Sequence, residues 1–151
     1  MAKYLVNGGA GFIGSHLTRE LVVRGHEVAV LDNLSTGKLE NIEDLLGRIN
    51  FVEGSITNLE TVIALCQGVD CVFHQAALPS VPRSVADPIT SDEQNVGGTL
   101  RVFWGAHQCG VRRVVYAASS SIYGDTEELP KHEGMQPKPM SPYAVNKRVS
   151  E

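Results

Sequence analysis

The sequence predicts an α/β fold in which helices cover both faces of a parallel sheet. Three observations predict it. Short apolar runs alternate with helical patterns along the whole chain, which is typical of βαβ units. A glycine-rich turn, Gly8-Gly9-Ala10-Gly11-Phe12-Ile13-Gly14, follows the first apolar run and opens the first helical pattern. An acid, Asp32, ends the second apolar run, about 20 residues beyond these glycines.

Five apolar runs are predicted to form the strands of one doubly wound sheet. Right-handed crossovers, with a phosphate site after the first strand, place the strands in the order 3-2-1-4-5. We predict these strands at residues 4–6, 28–32, 50–53, 71–74 and 113–118.

The helices of the first half are predicted from apolar spacing and end signals. The first runs from about Phe12 to Arg24, because Gly25 is a typical C-terminal stop. A short helix is predicted through Ile42, Leu45 and Leu46. A capping box at residues 57–60 then begins a helix that ends before Gly68.

Proline positions organise the second half of the chain. Residues 78–83 are predicted to form a proline-bearing loop. Asp87-Pro88 then caps a long helix that reaches about Gln108. Residues 119–140 are mostly loop, and Ser141-Pro142 begins a last helix in the same way.

Composition excludes several classes of protein. The chain has 151 residues, 42% hydrophobic and 20% charged, which is one ordinary globular domain. A net charge of -4 argues against a nucleic-acid or anionic membrane surface. No apolar run has the length of a transmembrane helix, and the N-terminus enters a strand directly, so we expect a cytoplasmic protein. Three cysteines without metal-ligand spacing predict no metal site.

The glycine turn has the composition of a dinucleotide site. Gly8 would permit the tight turn, Gly11 would let a pyrophosphate approach the backbone, and Gly14 would let the helix pack closely. Asp32 is placed to accept hydrogen bonds from an adenosine ribose, and its charge would repel a 2′-phosphate. NAD is therefore favoured over NADP, although the Gly-x-x-Gly-x-x-Gly spacing alone also fits a turn that binds no ligand.

A second group of polar residues comes near the end of the chain. Tyr143 and Lys147 are four residues apart and share one face of the last helix. An ammonium and a positively charged nicotinamide would favour the phenolate, so that Tyr143 could act as a general base for a sugar hydroxyl. Three consecutive serines, residues 119–121, follow the fifth strand, where ligands bind in open α/β sheets.

Taken together, five motifs resemble the extended short-chain dehydrogenase/reductases, which have a Rossmann fold. Within that family the chain is most similar to nucleotide-sugar 4-epimerases acting on UDP-glucose or UDP-N-acetylglucosamine. The motifs are the glycine turn, Asp32-Asn33-Leu34, His74-Gln75-Ala76-Ala77, the stretch from Ser119 to Asp125, and the Tyr143–Lys147 segment.

The resemblance assigns roles to individual residues. It implies that Tyr143 is the catalytic base, Lys147 the ribose-binding lysine that lowers the pKa of Tyr143, and Ser119 the catalytic serine. It implies substrate contacts at Ser80, Ser119, Ser120, Ser121 and Tyr143. It implies NAD contacts at Gly8, Gly11, Phe12, Ile13, Gly14, Asp32, Asn33, Ser55, Ile56, Ala76, Ala77, Asn95, Tyr143 and Lys147.

Two departures bear on substrate and cofactor selectivity. Ser55 stands where the family often has an aspartate that binds the adenine amino group. Pro79 stands where some UDP-glucose epimerases carry a lysine, which favours the N-acetylhexosamine branch.

Three functions remain open at this point. The first is C4 epimerisation of a UDP-hexose. The second is a 4,6-dehydratase or decarboxylase, which Ser120 and Ser121 disfavour because those relatives often have acids before the Tyr123-Gly124 pair. The third is an NAD-binding module without catalysis. The chain stops four residues after Lys147, so we expect residues 1–151 to be the incomplete NAD-binding domain of a homodimeric enzyme, inactive alone.

Overall fold

All 151 residues are described by a computed structural model, and they form one α/β unit. Five parallel strands lie in the order β3-β2-β1-β4-β5, which confirms the predicted topology. The strands are β1 Lys3–Asn7, β2 Glu27–Asp32, β3 Asn50–Glu53, β4 Cys71–His74 and β5 Arg113–Tyr116. β5 thus ends two residues earlier than predicted, because the chain leaves the sheet after Tyr116.

Six α-helices connect or follow the strands. They are α1 Phe12–Val23, α2 Leu59–Cys66, α3 Val81–Ala86, α4 Pro88–Asp92, α5 Gly98–Gln108 and α6 Pro142–Val149. None of them combines the length and the apolar character that crossing a bilayer requires.

The sheet is buried on both faces, as parallel sheets are. Leu5 and Val72 face one layer, where they pack in a cluster with residues of α2 and α5 such as Val62 and Val102. Neighbouring positions along the strands, such as Val6, belong to a second cluster that contains residues of α1. Because successive strand residues point to opposite faces, the continuous apolar runs supply both cores.

Three predicted elements are corrected by the structure. The short helix through Ile42 is a pair of 3₁₀ turns, which still bury Ile42 and Leu45 in the α1 cluster. The predicted loop at residues 78–83 contains the start of α3, since Ser80 caps that helix and Pro82 occupies its first turn. The long helix is interrupted by a π turn, Glu93–Gly97, between α4 and α5.

The helix caps can be compared with their predicted positions. The Asp87 and Ser141 side chains cap α4 and α6 by accepting hydrogen bonds from backbone N–H groups three residues later, as predicted. The capping box is wrong by one residue, because Asn58 accepts from the Thr61 N–H at 3.0 Å and is itself the cap. Asn58 is a strong cap residue and leaves Thr57 free to bond Ser55.

This cap gives a stability prediction. Asn58→Ala leaves one N–H of the first turn of α2 without a partner and should lower the free energy of unfolding by about 1 kcal/mol. Glu60→Ala is the matched control, since Glu60 is the acid of the predicted capping box and otherwise acts only through the helix dipole, and it should change stability by less than about 0.5 kcal/mol. Urea unfolding followed by circular dichroism measures both. Equal losses of unfolding free energy in the two variants would contradict the assignment of Asn58 as the cap of α2.

Candidate active site

The glycine turn joins β1 to α1 and brings β4 close to it. Gly8 has φ +78° and donates its N–H to the Leu31 carbonyl at 2.8 Å. A Cβ on Gly8 would lie 2.6 Å from the Ala76 nitrogen, and one on Gly14 would overlap the Gly8 carbonyl oxygen. Both positions therefore require glycine, whereas Gly11 has only the Gly8 oxygen near its Cβ position, at 3.3 Å.

Replacing Gly8 tests whether this close approach is needed. Gly8→Ala should destabilise the chain by about 2–5 kcal/mol, because left-handed backbone strain adds to overpacking against Ala76. NAD binding, measured by titration calorimetry, should be lost with it. Gly47→Ala is the control, since nothing lies within 4 Å of its Cβ position. A Gly8→Ala chain with unchanged stability and NAD affinity would refute this role.

Asp32 ties the loop after β2 to the glycine turn. Its carboxylate accepts hydrogen bonds from the Ala10 N–H at 2.9 Å and the Leu34 N–H at 2.8 Å. Asn33 accepts from the Ser35 N–H in the same loop. The two backbone bonds fix the carboxylate at the edge of the cleft, where its remaining lone pairs can accept from a ligand.

A cleft of about 280 Å³ lies over the carboxyl-terminal ends of β1, β2 and β4. Seven residues of the predicted cofactor site line it: Gly8, Gly11, Asp32, Asn33, Ile56, Ala76 and Ala77. The lining also includes residues that the sequence argument missed: Leu31, Ser35, Thr36, Gly54, Gln75, Leu78, Thr90 and Gln94. Thr90 and Gln94 are four residues apart, a spacing that could have identified them as one face.

Seven predicted cofactor residues lie outside this lining, and two of them, Tyr143 and Lys147, belong to the second group described below. Phe12 and Ile13 are exposed at the start of α1, and Gly14 packs under the turn. The Ser55 hydroxyl bonds the Thr57 hydroxyl at 2.8 Å and does not reach into the cleft. Asn95 is buried, and its amide bonds both the N–H and the carbonyl of Leu78, which is itself a lining residue.

The second predicted group assembles at the end of β5. Lys147 is only 4% exposed, and its ammonium donates to the Ala117 carbonyl at 2.9 Å. The nitrogen lies 5.9 Å from the centre of the Tyr143 ring and 4.8 Å from that of Tyr116. Burial without a carboxylate partner lowers the pKa of Lys147 to about 8. Tyr143 and Lys147 thus share the edge of the sheet at which β5 ends.

The pKa of Tyr143 differs from expectation. Burial raises the pKa of this phenol, and a hydrogen bond from the Ser119 hydroxyl partly opposes the rise. The expected lowering of the pKa by Lys147 is absent because the ammonium lies over the ring and bonds Ala117. In this state the Ser119 hydroxyl, and not the lysine, is the group that favours the phenolate.

The serine segment forms a 3₁₀ turn beside Tyr143. Ser119 caps this turn, accepting from the Ser121 N–H, and the two hydroxyls lie 2.8 Å apart. Ser119 and Ser120 line a second cleft of about 330 Å³, together with Tyr123. Ser121 is not part of that lining, and Ser80 is exposed, at φ +109°, where it caps α3.

The two clefts lie at the same edge of the sheet, where the carboxyl ends of the parallel strands meet, and they share no lining residue. One has a glycine cradle and a strand-end carboxylate, which suit the phosphates and ribose of a dinucleotide. The other is lined by the hydroxyls of Ser119 and Ser120, and Ser119 interacts with the Tyr143 phenol, which suits proton transfer to a hydroxylated substrate. The arrangement can therefore hold a redox cofactor beside an acid–base group.

Comparison with known proteins agrees with this geometry. The chain is 38% identical to UDP-glucuronic acid decarboxylase 1 of Danio rerio, over 99% of this chain and 36% of that protein. It superposes on the UDP-N-acetylglucosamine 4-epimerase of Methanobrevibacter ruminantium M1 with a TM-score of 0.94 and 33% identity, covering 99% of this chain and 48% of that one. The dTDP-glucose 4,6-dehydratase of Streptomyces venezuelae, solved with NAD bound, superposes with a TM-score of 0.92 and 36% identity. That superposition covers 98% of this chain and 49% of the dehydratase chain.

This chain thus spans about half the length of these solved relatives. Several structures of this kind contain NAD, which confirms the cofactor predicted from the glycine turn and Asp32. A family profile described as "NAD dependent epimerase/dehydratase family" matches residues 4–151. The chain therefore belongs to the NAD-dependent epimerase/dehydratase family.

Proposed function

We propose that this chain is the NAD-binding, acid–base part of an enzyme that inverts C4 of a UDP-hexose. UDP-N-acetylglucosamine with UDP-N-acetylgalactosamine, or UDP-glucose with UDP-galactose, are the proposed substrate pairs. The observation that carries the proposal is the placement of Tyr143, Ser119 and Lys147 at the end of β5, on the sheet edge that also holds the glycine-lined cleft. Relatives of this fold that act on UDP-sugars at C4 support it.

Three residues of the chain have proposed roles in proton transfer and cofactor binding. The Tyr143 phenolate accepts the proton of the sugar O4, and the Ser119 hydroxyl donates a hydrogen bond that stabilises the phenolate. Lys147, held by Ala117, supplies positive charge under the ring and a donor for the cofactor ribose. NAD, when bound, supplies the hydride acceptor and donor for C4, so the reaction passes through a 4-keto sugar.

The remaining predicted contacts complete the proposal. The backbone at Phe12, Ile13 and Gly14 faces the pyrophosphate at the start of α1, where free N–H groups and the helix dipole favour anions. Ser55 and Asn95 contribute to the cofactor site from its margins. Ser80, Ser120 and Ser121 bind the sugar.

A second function is favoured by one observation, the similarity to a UDP-glucuronic acid decarboxylase. Decarboxylation and 4,6-dehydration would also begin with oxidation at C4. Product mass separates the three reactions, because an epimer keeps the mass of its substrate, a dehydratase product has lost water and a decarboxylase product has lost carbon dioxide.

The test uses the protein expressed from the complete gene that contains this chain. With UDP-N-acetylglucosamine and NAD we expect a product of unchanged mass whose C4 configuration, read by NMR, is inverted. The 151-residue chain alone should bind NAD in calorimetry and give no turnover. Loss of water, or loss of carbon dioxide in a parallel reaction with UDP-glucuronic acid, would replace the proposal by the second function. NAD binding without any reaction would leave a binding module.

We also propose that the protein is a homodimer. Leu100 and Trp104 are exposed one turn apart on α5, and Val145 and Val149 are exposed in the same way on α6. Exposed apolar pairs of this kind are typical of an interface between copies. Analytical ultracentrifugation should give a dimer for the protein and a monomer for Trp104→Glu; a monomeric unmodified protein would refute the proposal.

A further inference from the structure

The helix that carries Tyr143 and Lys147 is attached to the rest of the chain by the polar side chain of Asn146, which lies between them in the sequence. Asn146 is 4% exposed and faces α4. Its amide oxygen accepts from the Ser91 hydroxyl at 3.0 Å, and its amide nitrogen donates to the Asp92 carboxylate at 2.9 Å. The amide uses its oxygen as acceptor and its nitrogen as donor here, so both groups on α4 depend on Asn146.

These contacts continue from Ser91 to the wall of the cofactor cleft. The Ser91 hydroxyl also accepts a hydrogen bond from the Asn95 amide at 3.3 Å. That amide bonds the Leu78 carbonyl at 3.1 Å, and its oxygen accepts from the Leu78 N–H at 2.7 Å. Asn95 lies in the π turn, where a widened helix can direct a side chain inward. A buried polar path therefore runs from Leu78 to α6.

A second contact fixes the beginning of the same helix. The Tyr143 N–H donates to the Ser84 hydroxyl of α3 at 3.0 Å, and that hydroxyl donates to the Val81 carbonyl. This bond sets where α6 starts. The bonds of Asn146 set the rotation of α6 about its own axis, because Asn146 lies about one turn beyond Tyr143 and is tied to α4 at two atoms. The orientation of Tyr143 toward Ser119 is thus determined jointly.

We infer that Asn146 is a positioning residue, which orients Tyr143 toward Ser119 and Lys147 toward Ala117 by joining α6 to Ser91 and Asp92 of α4. The path through Asn95 extends this control to Leu78, so the wall of the cofactor cleft and the acid–base helix are held in one arrangement. The inference rests on the proposed function only for the role of Tyr143 as a base.

A rotation of α6 would change the pKa of Tyr143 as well as the position of the helix. The Ser119 hydrogen bond is what opposes the burial of the phenol, so rotation of α6 away from Ser119 should raise the pKa of Tyr143 further. A lost hydrogen bond to a charged group corresponds to about one pH unit. Turnover should fall roughly 10- to 100-fold, the size expected from a small misplacement of a catalytic group.

The test compares variants of the full protein by phenolate absorbance during alkaline titration. Asn146→Ala and Asn146→Asp should each shift the Tyr143 titration upward by about one pH unit while the fold, followed by circular dichroism, persists. Subtracting the titration of the matching Tyr143→Phe double variant isolates Tyr143 from the other tyrosines. Arg148→Ala is the control, since Arg148 bonds only Glu151 at the exposed surface.

Ser91→Ala removes one hydroxyl from the path and should shift the titration in the same direction, which keeps the test decisive if the Asn146 variants do not fold. An unchanged Tyr143 titration in any folded Asn146 or Ser91 variant would overturn the inference. The absorbance reading needs no substrate, so absence of epimerase activity in the unmodified protein would refute the proposed function without affecting this result.

Discussion

Tyr143→Phe is expected to lower the rate of C4 epimerisation at least about 100-fold, the contribution typical of a general base. The structure brings this phenol next to the Ser119 hydroxyl at the end of β5. Phenylalanine keeps the ring that lies near Lys147 and removes only the hydroxyl, so packing of α6 should persist.

The measurements are steady-state turnover of the full protein and NAD affinity by calorimetry. NAD affinity should be unchanged, because the glycine turn, Asp32 and the cleft wall do not depend on the hydroxyl. Tyr4→Phe is the matched control, since Tyr4 lies in β1 against His26 and Phe73, away from both clefts. A Tyr143→Phe protein with full activity would exclude Tyr143 as the base.

Mild acid should destabilise the chain through His74. Burial, and then the charge of Lys147, lower the pKa of His74 to about 3. The Thr99 hydroxyl donates to the Asn95 carbonyl, so the His74 Nε2–H donates to Thr99 and Nδ1 remains without a partner. Protonation would therefore place an unpaired, charged N–H in the core.

The direction in which stability changes with pH follows from proton linkage. Below pH 6.5 the unfolded chain binds a proton on this histidine and the native chain does not, so stability falls as the pH falls. Between pH 6.5 and about pH 4.5 the loss should reach about 2–3 kcal/mol, at about 1.4 kcal/mol for each pH unit. The lowered pKa values of Asp44 and Asp87 reduce stability mainly below their ordinary value of 3.8, under this window.

Urea unfolding across this range measures the effect. His74→Gln should remove most of the pH dependence, whatever its effect on absolute stability, because the variant has no group to protonate there. His107→Gln is the control, since His107 is exposed on α5. Identical slopes in the unmodified chain and His74→Gln would show that His74 is not held neutral by the fold.

The sheet was predictable because its signals are local. The bounds of β3 and β4 agree with the apolar runs, and the order of all five strands follows from short right-handed connections. The side-chain caps at Asp87 and Ser141 act within one turn of helix, so the sequence alone located them. Because the strands are parallel, the polar residues that follow them were predicted to lie along one edge of the sheet.

The irregular helices were less predictable because tertiary contacts determine them. The residues of the π turn at Glu93–Gly97 have the same apolar spacing as a regular helix, so the sequence does not distinguish the two. The turn becomes evident only in the structure, where the Asn95 side chain contacts Leu78. At Ile42 and Leu45 a spacing of three fits a 3₁₀ turn as well as an α-helix, and packing against α1 determines the outcome.

Side-chain directions at the site were the least predictable part. Spacing placed Tyr143 and Lys147 on one face, but the length of the lysine side chain lets its ammonium reach Ala117 instead of the phenol. Ser55 was assigned by its position after β3, yet its hydroxyl bonds Thr57 within the same loop. The hydrogen-bond partners of these side chains depend on loop conformation and burial, which a sequence pattern does not contain.

The proposed function requires NAD to lie across both clefts with its nicotinamide beside Tyr143. Its most direct test is the phenolate titration of Tyr143, isolated by subtraction of Tyr143→Phe, in the free protein and with saturating NAD⁺ or ADP-ribose. The positive ring of NAD⁺ should lower the pKa of Tyr143 from its raised value, whereas ADP-ribose, which lacks that ring, should leave it unchanged. Binding of NAD⁺ with no change in the Tyr143 titration would contradict the account.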